Sequence, residues 1–149
     1  MRNQLRNQLH KYMIYENKIA IVLIRDLKEW QKLNVASFLA SSVAIQFPET
    51  HGKEFVNASG STYLPFLKHP IMIYAANSSD EIMRAFKRAK ERNLSIGIYT
   101  LPLFSTKCEQ ENLIEISKSS DENQELVGIV MYGENKKVNK ALDGLKLYS

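Results

Sequence analysis

"KIAIVLIRDLKEWQKLNVASFLASSVA", residues 18–44, decides the fold. Its first seven residues are almost continuously apolar and rich in β-branched side chains, the pattern of a strand buried on both faces. A polar cluster, Arg25 to Lys32, follows. Val35, Phe38, Leu39, Ser42 and Val43 then fall at helical spacing and predict a helix with one apolar face. Pro48 and Gly52 end it. A buried strand, a polar junction and an amphipathic helix open an α/β fold.

The same alternation continues. Residues 54–66 read as two short extended pieces around Asn57–Ser61, a hairpin-like excursion. Pro70 precedes a second apolar run, IMIYAA, ending at Ala76. Asn77-Ser78-Ser79-Asp80 supplies capping side chains, and Asp80-Glu81 suits the positive end of a helix dipole. Ile82, Ala85, Phe86 and Ala89 mark that helix's inner face, and Asn93 its stop. Residues 94–99 form a third strand, 107–118 an acidic helix, 126–132 a fourth strand, and 135–142 a final short helix.

Helices of this length between strands imply crossovers and a mainly parallel sheet covered on both faces. Ligands in such sheets gather beyond the carboxyl ends of the strands. Those ends are Arg25-Asp26, Asn77-Ser78 and Thr100. The opening junction thus lies in the predicted crevice.

Composition sets limits. The chain has 149 residues, 44% hydrophobic and 24% charged, ordinary for one soluble domain. No apolar run approaches the roughly 20 residues of a membrane span. The N-terminus lacks the apolar core of a signal peptide, and the single cysteine excludes an intrachain disulfide. A cytoplasmic location is expected. Of the net charge of +4, residues 1–18 carry +3. The remainder is too nearly balanced for a surface built to neutralise many phosphates. Arg84, Lys87, Arg88, Lys90 and Arg92 crowd one segment, and acidic residues a later one; the plain reading of both is a solvated helix face.

Four segments together carry a resemblance: "KIAIVLIRDLKEWQKLNVASFLAS", "NASGSTYLPFL", "IYTLPLFST…EN" and "LVGIVMYGENKKVNKALDGLKLY". They resemble a bacterial family of uncharacterised domains, domain of unknown function number two thousand, over residues 18–148. That family is remotely similar to peptidyl-tRNA hydrolase of the second, archaeal and eukaryotic type. The similarity implies a three-layer α/β/α sandwich with a mixed, mainly parallel four-stranded sheet and one antiparallel strand. It implies one domain over residues 18–149, after an extension of residues 1–17.

The hydrolases follow their first strand with an aspartate-leucine-lysine-like stretch, which Asp26-Leu27-Lys28 matches. Lys32 is the nearest match to their catalytic lysine. Phe38 stands where they carry a glutamine, and Thr100 where they carry an aspartate. Thr106 or Ser105 can stand in for a nearby hydroxyl.

Hydrolysing an ester needs a group that orients or deprotonates water and another that stabilises the oxyanion. Asp26 is the candidate for the first role, and loop capping is its ordinary one. Lys32 is the candidate for the second, with Lys28 in support. His10, His51 and His69 lack metal-ligand spacing, and no metal or cofactor is expected. Cys108 reads as an ordinary free cysteine. Trp30 reads as core or lid, and Tyr63, Pro65 and Phe66 as further walls of the crevice. "RNQL" occurs at 2–5 and again at 6–9, which aligns Leu5, Leu9 and Met13. This suggests either a helix that packs on a neighbouring subunit in a homo-oligomer or an unstructured leader.

Two functions follow. One is a non-catalytic or regulatory module that binds a small ligand through Arg25, Lys28, Lys32, Asn34, Asn77, Thr100 and Asn112. The other is a hydrolase of peptidyl-tRNA-like esters, with Lys32 as electrophile and Asp26, Asn34 and Thr100 as positioning groups. The replaced glutamine and aspartate favour the first reading over tRNA as partner.

Overall fold

The structure is a computed structural model that describes Arg2 and residues 15–149. The repeated "RNQL" lies outside the described residues. The first strand, β1, spans Asn17–Ile24, and α1 spans Glu29–Gln46. A turn of 3₁₀-helix, Pro48–Thr50, leads into the hairpin β2 (Phe55–Val56) and β3 (Thr62–Tyr63). Then come β4 (Ile71–Ala76), α2 (Ser79–Glu91) and β5 (Ser95–Thr100). A second 3₁₀ turn, Leu101–Ser105, precedes α3 (Glu109–Ser117). Last are β6 (Leu126–Glu134), α4 (Asn135–Ala141) and β7 (Lys146–Leu147).

The main sheet has five strands in the order β5-β6-β1-β4-β7. This corrects the expected count of four. The fifth strand, β7, is a two-residue edge piece that pairs Tyr74 with Leu147 and Ala75 with Lys146. The expectation of a mainly parallel sheet is corrected as well. Only β1 and β4 pair in parallel, from Ile19↔Ile71 to Ile24↔Ala76. The β1–β6, β5–β6 and β4–β7 ladders are antiparallel. The cause is the placement of β6, which runs against its neighbours and inserts between β1 and β5. Even so, β1, β4 and β5 share one direction, so their carboxyl ends meet at one edge.

Alternate residues of β1 feed two cores, which explains its unbroken apolar run. Ile19, Ile21 and Leu23 pack with Val35, Leu39 and Val43 of α1. Ala20 and Val22 pack with Ile82, Ala85, Phe86 and Ala89 of α2 and Val138 and Ala141 of α4. Helices therefore cover both faces of the sheet. Ser78 caps α2 by accepting the Glu81 N–H at 3.2 Å, and Asn93 ends its loop in the left-handed region at φ 54°. No helix among the described residues is long and apolar enough to cross a membrane.

The periodic pattern overstated one helix face. Phe38 does not join the α1 core and is 58% exposed. It overhangs the edge strand β5, with its ring 6.2 Å from that of Tyr99. The hairpin does not wall the crevice either. It follows the carboxyl end of α1, where Phe47 packs on Tyr132 beside the amino ends of β1 and β5. Phe55 and Phe66 pack on each other there, 4.7 Å between ring centres.

Candidate functional site

The carboxyl edge of the sheet holds two depressions rather than one crevice. The turn Leu101–Ser105 contributes to both. Pro102 sits in its first turn, where the missing N–H costs nothing. Leu101 donates its N–H to the Glu125 carbonyl at 2.9 Å, which ties the turn to the start of β6.

The first depression, about 480 Å³, lies between the end of β1 and the start of α2. Asp26, Asn77, Ser78, Gln124 and Glu125 line it above Ile82. Its polar groups are partly committed. Asn77 donates its N–H to Glu81 Oε2 at 2.5 Å, and its side-chain oxygen accepts from Arg25 Nε at 2.8 Å.

The second depression, about 650 Å³, runs between α1 and the start of α3. Trp30, Asn34 and Phe38 come from α1, Tyr99 from β5, Phe104 from the turn and Asn112 from α3. The positions 30, 34 and 38 are spaced by one helical turn, so α1 presents them as a single stripe. The rings touch in series. Phe104 meets Trp30 edge-on with centres 5.8 Å apart and lies 5.0 Å from Tyr99. Trp30 is 55% exposed, so it is neither core nor closed lid.

Polar groups stand beside these rings. The Thr106 hydroxyl donates to the Leu103 carbonyl at 2.8 Å and lies against Asn112 Oδ1. The Asn112 NH₂ keeps no partner among the described residues. Burial holds the Tyr99 phenol above its ordinary range, so it stays protonated at neutral pH. Lys107 and Glu109 form a charged rim. The groove can stack a flat ring and read its edge through amides.

The structure sorts the candidates named from sequence into groups. Asn34 and Asn112 meet in the aromatic groove, and Asp26 and Asn77 in the first depression. Arg25 and Lys32 meet elsewhere, on the ring of Tyr148. Their charged groups lie 5.1 and 5.2 Å from its centre. Lys28 is the N-cap of α1, where its N–H donates to Gln31 Oε1 at 2.9 Å. Thr100 is buried at the end of β5 and lines neither depression. Asp26 and Lys32 share no depression, which separates the two candidate catalytic groups.

Sequence reasoning missed Tyr99, Phe104 and Tyr148 as site residues. The signal for Phe104 was an aromatic in a proline turn just beyond a strand end. Tyr148 had none, because its place depends on β7 pairing with β4.

A family model described as "Protein of unknown function (DUF2000)" matches residues 17–149. The chain belongs to this family. Its first matched residue is also the first of β1. A solved structure titled as a protein of unknown function from Agrobacterium tumefaciens is similar at TM-score 0.88 and 30% identity. The match covers 91% of this chain and 100% of that one. No curated protein matches the chain.

Proposed function

We propose that this DUF2000 protein is a small-ligand binding module whose site is the aromatic groove between α1 and α3. One observation carries the reading. Four rings, Trp30, Phe38, Tyr99 and Phe104, line an open groove beside the amides of Asn34 and Asn112. Trp30 and Phe38 are left more than half in water, which costs hydrophobic free energy unless something covers them. A planar, hydrogen-bonding molecule of the size of a nucleobase or nicotinamide suits both the rings and the amides. The type-two peptidyl-tRNA hydrolase-like fold belongs to the same proposal. Its support is the reversed β6 among three strands that share one direction. Ester hydrolysis is the weaker reading, because Lys32 turns to Tyr148 while Asp26 lines the other depression.

Trp30 is the only tryptophan, so its fluorescence reports on this groove alone. The test titrates adenosine, adenine and nicotinamide into the protein. The expected result is a saturable change in emission for at least one ring compound, lost in Phe104→Ala and weakened in Asn112→Ala. No saturable change with any of the three, or an equal change in both variants, sinks the proposal.

A further inference from the structure

The face of the sheet away from the aromatic groove carries α2 and α4 side by side. Both helices turn their apolar residues inward and their cations outward. Arg84, Lys87, Lys90, Lys136, Lys137 and Lys140 are all exposed. Part of this charge has an ordinary cause, since cations in the last turn of a helix complement its dipole. Arg88 and Lys90 in α2 and Lys140 in α4 hold such places.

Two of these dipole-placed cations, Arg88 and Lys140, also line a depression between the two helices. It encloses about 340 Å³ and is lined by Arg88, Arg92, Asn139, Lys140 and Asp143. Arg88 Nη1 donates to the Asp143 carbonyl at 2.8 Å, and Arg92 Nη1 to the Arg88 carbonyl at 3.0 Å. Backbone carbonyls thus orient both guanidinium groups without neutralising them. Among the described residues, the carboxylate in ion-pair reach of either is Glu91, 3.9 Å from Arg92. Lys18 Nζ donates to Asn139 Oδ1 at 2.9 Å, which leaves the Asn139 NH₂ to donate elsewhere. Three cations and one amide donor therefore converge on the same space. The Asp143 carboxylate is the single opposing charge in the lining.

We infer that this depression binds a small, multiply charged phosphate such as a diphosphate or a phosphomonoester. Arg88 and Arg92 grip its oxygens through their remaining N–H groups, Lys140 adds a point charge, and Asn139 donates its amide. Guanidinium groups already held in place lose little freedom when the anion arrives. The site lies on the opposite face from the aromatic groove, so it stands or falls independently of the function proposed above.

Inorganic pyrophosphate is the probe, titrated by calorimetry at constant ionic strength, with chloride and sulfate as controls. The expected result is saturable binding that weakens about tenfold in Arg92→Gln and in Lys140→Gln. Lys140 is exposed, so its variant keeps the test valid if an arginine variant unfolds. Asp143→Asn should tighten binding by removing the opposing charge. Three results overturn the inference: heats that do not saturate, an equal response to chloride, or affinity unchanged in Lys140→Gln and Arg92→Gln. A response to duplex RNA or anionic vesicles without one to pyrophosphate also overturns it, in favour of a polyanionic surface.

Discussion

Gly128 lies directly beneath Val35. A Cβ at position 128 would stand 2.5 Å from Val35 Cγ1, 3.1 Å from Leu39 Cδ1 and 3.2 Å from Leu23 Cδ2. All three neighbours are buried, so none can swing aside. The bare glycine lets α1 settle on the sheet where β6 passes beneath it. Gly128→Ala should force α1 outward and cost about 2 kcal/mol by overpacking. Urea unfolding should show a lower midpoint at unchanged slope. Trp30 emission should shift too, because the displaced helix carries it.

Ser78 sets the start of α2. Its hydroxyl accepts the Glu81 N–H, while the Glu81 carboxylate accepts the Asn77 N–H. Ser78→Ala should cost about 1 kcal/mol, and Ser78→Gly a few tenths. An unchanged urea midpoint in Ser78→Ala would mean that the cap contributes nothing.

Elements that obey one period were legible in the sequence. The run after Pro70 gave β4 to the residue, Ile71–Ala76, and all four inner residues of α2 are buried. Pairing partners were not legible. Nothing in LVGIVMYGE tells β6 to insert between β1 and β5, because that choice rests on contacts remote in sequence. The two residues of β7 are too few to show a period. The strand-end rule pointed to the edge where both depressions lie, but not to its division by Leu101–Ser105. The structure sets Asp26 and Asn77 on one depression and Asn34 and Asn112 on the other. Polar character alone could not separate Thr100, buried at a strand end, from groups that face solvent.

His69 makes stability depend on pH. Its ring packs 4.2 Å from that of Tyr15 and meets Tyr132 edge-on at 6.0 Å. Its Nδ1 is buried without a hydrogen-bond partner among the described residues. Burial holds its pKa below the ordinary histidine value, the Lys68 charge lowers it further, and Glu49 opposes both. The unfolded chain therefore binds the proton more readily. Stability rises with pH across the window between the lowered value and about 6.5, and is lost as pH falls through it. His69→Phe keeps a ring between the two tyrosines and removes the titration. The wild-type urea midpoint should fall more steeply than the variant's between about pH 7 and about pH 5.5. Parallel curves would assign the pH dependence to other groups.

Tyr148 clamps the carboxyl edge. Its N–H donates to the Ile73 carbonyl at 2.8 Å, which extends the β4–β7 ladder. Its ring then receives Arg25 and Lys32, and the Arg25 Nη1 also donates to the Ser149 carbonyl at 3.4 Å. Cation–π pairs at partly exposed sites are worth about 0.5 to 1 kcal/mol each. Tyr148→Ala should therefore cost about 2 kcal/mol, packing included, whereas Tyr148→Phe should stay within about 0.5 kcal/mol of wild type. The clamp also bears on function. Lys32 lines neither depression at this edge, so freeing it should leave ring-compound binding to Trp30 unchanged. If Tyr148→Ala instead alters that titration, the lysine reaches the groove once released, and the clamp acts as its restraint.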